Sequence, residues 1–412
     1  MRPLLNADGV ARSMMQAEIV ASSANQMLEH ARAGSLSRIA LDESRLDAVV
    51  DYVIETTRMN YPTLDIPFHA RWRHFKAAGR DLWAELDAST PWKDRRERIK
   101  AAYDLVIVSV LLDAGAGMGW RFVEPITRAE ASKSEGLGLA SFTMFREGLF
   151  SADPARPLRV DASRLQSLTV GDLRRGFQVG PSNPLVGLEG RTALLHRLGE
   201  ELADRHADRP GAQRPSIVAD AFLKALEAGR PLTASAMLGE VLREFAGIWP
   251  EREGAVPGCG DCWFHPQGVE LEGHGNVVAF HKLSQWLTYS LIEPLQWAGF
   301  EVRDIDGLTG LPEYRNGGLL LDFGVLTLKD EADWKRRHEV SSPLVVEWRA
   351  LTVALLGEIG RRMRARLGMT AAELPLAKVL EGGTWAAGRR IAREKRSDGG
   401  PPLMILSDGT VF

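Results

Sequence analysis

The strongest constraint on the fold is a succession of segments in which apolar residues recur at intervals of three and four. Residues 14–35 and 44–59 set the pattern, and this spacing gathers apolar side chains on one face of an α-helix. The same reading predicts helices over 93–113, 162–176 and 190–205, and two more across 216–248. Four further helices close the chain. One spans 280–298, with Gly299 at its C-cap, and another, 344–367, opens on Ser342 and Pro343 and stops at Gly368. Thr370 and Glu373 make a capping box for a third, expected to end before Gly382 and Gly383. Thr384 would then cap a basic helix running to Arg396. Strands alternating with helices, the signature of a parallel sheet, are missing from the pattern. The Gly-rich span 252–278 is the place for strands. The expected class is therefore mainly α, a multi-helix globular fold with a small β/loop-rich insertion. The polar segment DRHADRPGAQRP (204–215) is the best internal boundary. It separates an N-terminal helical part, 1–205, from a C-terminal part, 216–412, expected to pack as one compact unit.

Charge and hydropathy exclude several classes of function. With 51 basic and 54 acidic residues among 412, the net charge is −3, so no nucleic-acid partner is expected. The apolar run Leu105–Leu112 ends at Asp113 and is too short to cross a bilayer, which needs about 18 apolar residues or more. No membrane association is expected. Met1–Met15 lacks the apolar stretch of a secretory leader. Two cysteines, Cys259 and Cys262, are too few to staple a chain of this size, which points to a reducing compartment and the cytoplasm.

Several segments have residue types suited to chemistry. In YPTLDIPFHARWRHF (61–75), Pro62 and Pro67 break helix while four aromatics are interleaved with His69, Arg71, Arg73 and His74. On the helix 280–298, Lys282, Trp286, Tyr289 and Glu293 fall within about 80° of arc. That stripe lines a partly polar interior, or else forms a hydrogen-bonded edge of the core. In LTGLPEYRNGG (308–318), Pro312 and the Asn-Gly-Gly that follows suggest a rigid loop presenting Glu313, Tyr314 and Arg315 to a cleft. Glu313 could stabilise an electron-poor sugar carbon, orient water or attack the carbon; the plainer reading is a Glu–Arg pair fastening a loop. Cys259, Cys262 and His265 invite a zinc reading that His274 and His281 could complete, but a lone CxxC is weak evidence and no metal centre is expected. Asp261, Trp263 and His265 read instead as polar-aromatic pocket residues. Glycines ahead of a helix start at Thr384 would expose backbone N–H groups to an anion, with Arg389 beside them. An ordinary capped turn is the alternative.

Taken together, YPTLDIPFHARWRHF, LLDAGAGMGWRF (111–122), AFHKLSQWLTYSLIEPL (279–295), LTGLPEYRNGGLLLD (308–322), EGGTWAAGRRIA (381–392) and SDGTVF (407–412) resemble the uracil catabolism protein 4 family over essentially the whole chain. Val is usual in that family where this chain has Cys262, which further weakens a metal reading. The resemblance implies a place in pyrimidine degradation, on a route through a uracil ribonucleotide and an opened, urea-bearing riboside. A more distant resemblance, to the glycosidase family that salvages queuine from queuosine nucleotide, rests on NPLVGLEGRTALL (183–195), FHKLSQ (280–285) and LTGLPEYR (308–315). It implies a glycosidase-like helical core. It matches Glu313 to that family's catalytic Asp, one methylene shorter, and Lys282 to its helix Lys.

These readings combine into one expectation: an N-glycoside hydrolase that cleaves a ribosylurea, or its 5′-phosphate, to urea and ribose or ribose phosphate. Glu313 would be catalytic. Asp65, His69, Arg71, Asp261, Trp263, His265, Lys282, Trp286, Tyr314 and Arg315 would line the substrate site, and Lys282, Thr384 and Arg389 would contact phosphate. The proton donor to the leaving group is left open among His69, His265 and a protonated carboxylic acid. No cofactor is implied. The partner is a small ribosyl compound, and a homo-oligomer is compatible with the sequence. A ureido- or amidohydrolase acting on the opened ring, and a non-catalytic binding protein of the pathway, stand as alternatives.

Overall fold

The computed structural model describes residues 14–113, 115–117, 119–271 and 275–406. The fold is mainly α. In chain order the helices are α1 (Ala17–Arg32), α2 (Leu46–Asn60), α3 (Leu82–Ser89), α4 (Arg95–Leu111) and α5 (Lys133–Arg146). Then come α6 (Ala162–Ser167), α7 (Val170–Gly176), α8 (Leu188–Arg205), α9 (Ile217–Glu227) and α10 (Ala234–Phe245). The C-terminal part holds α11 (Lys282–Trp297), α12 (Tyr314–Asp322), α13 (Pro343–Leu367), α14 (Leu376–Val379) and α15 (Trp385–Lys395).

Packing follows from burial. α4 and α11 are buried on almost every side and lie against each other; α13, the longest helix, packs on α1. Trp120, Trp263 and Trp348 are fully enclosed, and the buried apolar cluster runs from Met14 to Leu403. Strands among the described residues pair only in twos. The longest pair is the hairpin β1 (Cys262–Leu271) and β2 (Gly275–Ala279), irregular between Phe264 and Val269, which covers α1. This is the small β element expected at 252–278. No helix in the described residues is long and apolar enough to cross a membrane.

Several elements differ from the sequence reading. The segment 162–176 is two helices, because Thr169 starts a second one with a full capping box to Asp172. Helix α5 was not anticipated. Nearly every side chain from Gly136 to Phe145 is buried, so no polar face marks its period. Residues 313–318 are not a loop: Glu313 is the N-cap of α12, which runs straight through Asn316, Gly317 and Gly318. Tight packing explains the glycines, since a Cβ on Gly317 would lie 2.6 Å from the Trp348 ring. Finally, the helix does not stop at Gly382. α14 passes through a π-helical turn, Leu380–Thr384, directly into α15.

Candidate functional site

Lys282 opens α11, and buried groups fix its position. Asp261 receives the Lys282 backbone N–H at 3.2 Å, the Trp263 indole N–H at 2.8 Å, and both terminal nitrogens of Arg349 at 2.8 and 2.7 Å. Burial pushes the Asp261 carboxyl up, but Arg349 and these donors outweigh it and hold it at about 2. His281, at φ 44°, makes the sharp entry to the helix and is anchored through Nε2 to the Met14 carbonyl at 2.7 Å. Asp261 and Trp263 therefore shape the start of α11 as an enclosed scaffold.

Glu313 faces Lys282 electrostatically from α12. Its two oxygens accept the backbone N–H groups of Arg315 and Asn316 at 2.8 and 2.7 Å. This is an N-cap made by a carboxylate at the positive end of a helix. The residue is only 8 % exposed. Burial raises its pKa, against the lowering pull of the Arg315 amide, Lys282, the Asn316 amide and His69. Burial likewise lowers Lys282, while Glu313, Asp113 and Asp261 favour its charge and Arg349 opposes it. Tyr289, one helical stripe along, donates to the Thr309 carbonyl at 3.0 Å, and Gln285 is bonded to Thr309 through backbone and side chain. These contacts tie the approach to Glu313 onto α11.

A second polar group comes from the segment after His69. Arg71, completely buried, gives Nη1 to Asp113 at 2.6 Å, Nε to Ser109 at 2.6 Å, and lies 5.4 Å from the Trp286 ring. Ser134, in the first turn of α5, donates to Asp113 at 2.7 Å, and His74 Nδ1 lies 3.1 Å from Arg71 Nη1. Burial, then the charge of Arg71, holds His74 well below 6.5 and so neutral. Burial raises Asp113 despite Arg71, Ser134 and Lys282. Arg71 Nη2 and Trp286 Nε1 are buried donors without an acceptor among the described residues. Such a group costs about 1–3 kcal/mol, which an acceptor-bearing ligand would offset.

His69 and the π turn stand beside this group. His69 Nδ1 lies 2.8 Å from Glu381, and its ring is 6.3 Å from Trp286 and 6.2 Å from Trp385. Arg389 stacks over Trp385 and pairs with Glu135 at 2.8 Å. Lys133, Arg315, Arg389 and Arg393 stand near one another with Glu135 as the countercharge: burial, then these arginines, lowers Lys133.

The structure thus brings together Glu313, Lys282, His69, Arg71 and Trp286. Asp65 is exposed rather than enclosed with them. His265 faces Glu347 across 3.8 Å, inside a knot where Glu347 also accepts N–H groups from Ser37, Arg38 and Ile39. Burial holds His265 at about 4, which removes it as a proton donor near neutrality. Tyr314 and Arg315 do not grip the Glu313 carboxylate with their side chains. Arg315 lies over the Tyr314 ring and reaches the Gly399 carbonyl at 2.8 Å. Thr384 is not a helix N-cap. It sits inside the continuous helix at φ −66° and ψ −42°, fully buried, and the N–H groups around it are committed to helical bonding. Sequence reasoning missed Asp113, Ser134, Lys133 and Glu381 as members of the site; only Glu381, beside a Gly pair, had a local signal.

Among the described residues no group of three or more His, Cys, Asp or Glu is placed to hold a metal ion. Cys262 Sγ lies 3.4 Å from His281 Nε2, and both cysteines are buried and free.

Comparison with known proteins fits this whole-chain architecture. Residues 13–412 match the family model described as "Protein of unknown function (DUF1688)". The chain is 38% identical to "Protein urg3" of Schizosaccharomyces pombe over 401 residues, covering 94% of this chain and 96% of that one. It is 36% identical to "Uracil catabolism protein 4" of Lachancea kluyveri over 418 residues, covering 92% and 93%. The chain belongs to the DUF1688 family, the family of protein urg3 and uracil catabolism protein 4.

Proposed function

We propose that this protein is an N-glycoside hydrolase of uracil breakdown, releasing urea from a ribosylurea, with the 5′-phosphate form as substrate. The observation that carries the reading is the enclosed Glu313 carboxylate, fixed by two backbone N–H groups and coupled to Lys282. As the C1–N bond breaks, its electron pair leaves with the urea nitrogen and positive charge grows on the sugar. A preorganised carboxylate stabilises that charge, and water then supplies oxygen to C1. Both Glu313 oxygens keep a second lone pair for this role. Lys282 stands as a cationic contact for the sugar or its phosphate. The Lys133, Arg315, Arg389 and Arg393 group favours a phosphorylated substrate, and Arg71 Nη2 and Trp286 Nε1 suit a urea carbonyl. The name carried by the Lachancea kluyveri relative supports the pathway.

The test is to incubate purified protein with ribosylurea and with its 5′-phosphate and to measure free urea and free sugar. Urea release is expected, and Glu313→Gln should lower turnover by roughly a hundredfold or more. It keeps one capping oxygen and so the helix start. Binding without turnover in the wild type, or full activity in the variant, would overturn the assignment.

A further inference from the structure

We infer that His69 donates the proton to the departing urea nitrogen and that Glu381 is the residue that positions it; this rests on the N-glycosidase reading above. Urea is a poor leaving group, so the nitrogen needs a proton as its bond to C1 lengthens. The structure narrows the donors. His265 lies apart from Glu313, with Nδ1 accepting the Gln267 N–H at 3.3 Å and Nε2 3.8 Å from Glu347, whose oxygens serve Ser37, Arg38 and Ile39. His74 has Nδ1 against Arg71 and Ser134, 3.1 and 3.2 Å away, and acts there as an acceptor. His69 is different. Its Nδ1 is spent on Glu381 at 2.8 Å, which leaves Nε2 as the nitrogen able to exchange a proton. The carboxylate fixes the tautomer and ring orientation and offsets the charge when the ring is protonated.

The fold invests in this pair. Backbone N–H of His69 is bonded to the Ala377 carbonyl at 2.9 Å, one helical turn before Glu381. Tyr61 donates to the other Glu381 oxygen at 3.3 Å. The π turn itself sets the direction in which Glu381 projects. It is held tightly against α2: a Cβ on Gly383 would lie 2.5 Å from Val53 Cγ1 and 2.6 Å from Thr57 Oγ1, and one on Gly382 3.0 Å from Ile66. Widened turns of this kind recur at functional sites. The charged and titratable groups facing His69 are Glu381 and Tyr61 on one side, with Glu313 and His74 within electrostatic reach. His69 and Glu313 thus serve one centre from different elements, one delivering a proton to nitrogen and the other stabilising the sugar cation. In the balanced reaction His69 gives its Nε2 proton to nitrogen, the C1–N pair leaves with urea, water adds oxygen to C1, and the proton water loses restores His69.

The experiment compares two substrates in wild type, His69→Gln, His69→Asn and Glu381→Gln. One is ribosylurea 5′-phosphate. The other is p-nitrophenyl ribofuranoside 5′-phosphate, whose nitrophenolate leaves as an anion and needs no proton. Both His69 variants should lose at least about a hundredfold on the urea substrate and stay within about threefold on the nitrophenyl one. Glu381→Gln should lose about tenfold on urea and move the alkaline fall of its kcat profile to lower pH. The retained nitrophenyl rate doubles as proof of folding. Equal losses on both substrates in a His69 variant that melts like wild type, or an unchanged urea rate, would overturn the assignment. A wild type inert toward both substrates would instead remove the N-glycosidase reading, and this inference with it.

Discussion

Replacing Gly388 by Ala tests whether the approach of α15 to α12 governs both stability and site geometry. A Cβ at Gly388 would lie 2.1 Å from the Arg315 carbonyl oxygen and 2.7 Å from its carbon. Both are backbone atoms, so no side-chain rotation relieves the clash, and the two helices must separate by roughly 1 Å. Overpacking of this kind costs about 1–3 kcal/mol, and a rigid backbone contact belongs at the upper end. The better helix propensity of Ala returns about 0.5–1 kcal/mol. The expected net loss is about 2 kcal/mol. At roughly 2 cal/mol/K of unfolding entropy per residue, a chain this long should melt about 2 °C lower. Gly357→Ala is the control: its site on α13 is open, with nothing within 4 Å, so it should gain about 0.5–1 kcal/mol and melt about 1 °C higher. Differential scanning calorimetry on both variants decides the matter. A Gly388→Ala protein melting at or above wild type, or both variants shifting the same way, would refute the reasoning. Glu313 lies two residues before Arg315, and under the proposed N-glycosidase function a displacement of about 1 Å there should also lower urea release by about a hundredfold.

Three further outcomes follow from the charges. Burial raises Glu293 from 4.5 to about 7 in spite of Arg73. A raised carboxyl stabilises below its unfolded pKa and loses that contribution as pH rises through the folded value. The stability advantage of wild type over Glu293→Gln should therefore shrink between about pH 5 and 8, by an amount on the order of 2 kcal/mol, read from urea unfolding midpoints. Arg349→Met strands the buried Asp261 carboxylate and should cost about 3–5 kcal/mol, seen as a lower denaturation midpoint at unchanged slope. Under the proposed function Lys133→Ala should raise KM for ribosylurea 5′-phosphate about tenfold while leaving the free riboside unaffected; an equal effect on both substrates would remove the proposed phosphate contact.

Helices with one polar face were legible in the sequence. α1, α2, α8 and α9 show apolar residues at helical spacing because solvent covers their other side. α5 was not legible, because Gly136 and Gly138 serve close packing against Trp120 and His74 and no polar stripe remains. The glycines at 317–318 and 382–383 were read as breakers on local propensity. Tertiary packing used them instead as points of contact inside helices, against Trp348 and Pro402 in one case and Val53, Thr57 and Ile66 in the other. For the site, Glu313 and Lys282 stood out as residue types in suggestive strings. The support of Lys282 did not: the Asp261–Arg349 pair below it joins positions 88 residues apart. No local pattern encodes such a pairing.

The hydrogen bond between His69 and Glu381 spans 312 positions of the chain, and Arg315 reaches onward to Gly399. A ribosome-bound chain therefore has no partial version of this centre. It comes into being only when the last helix docks onto the first third of the molecule, a closure of high contact order that should be among the slower events of folding. Any fragment released early would carry helices but not the joined residues.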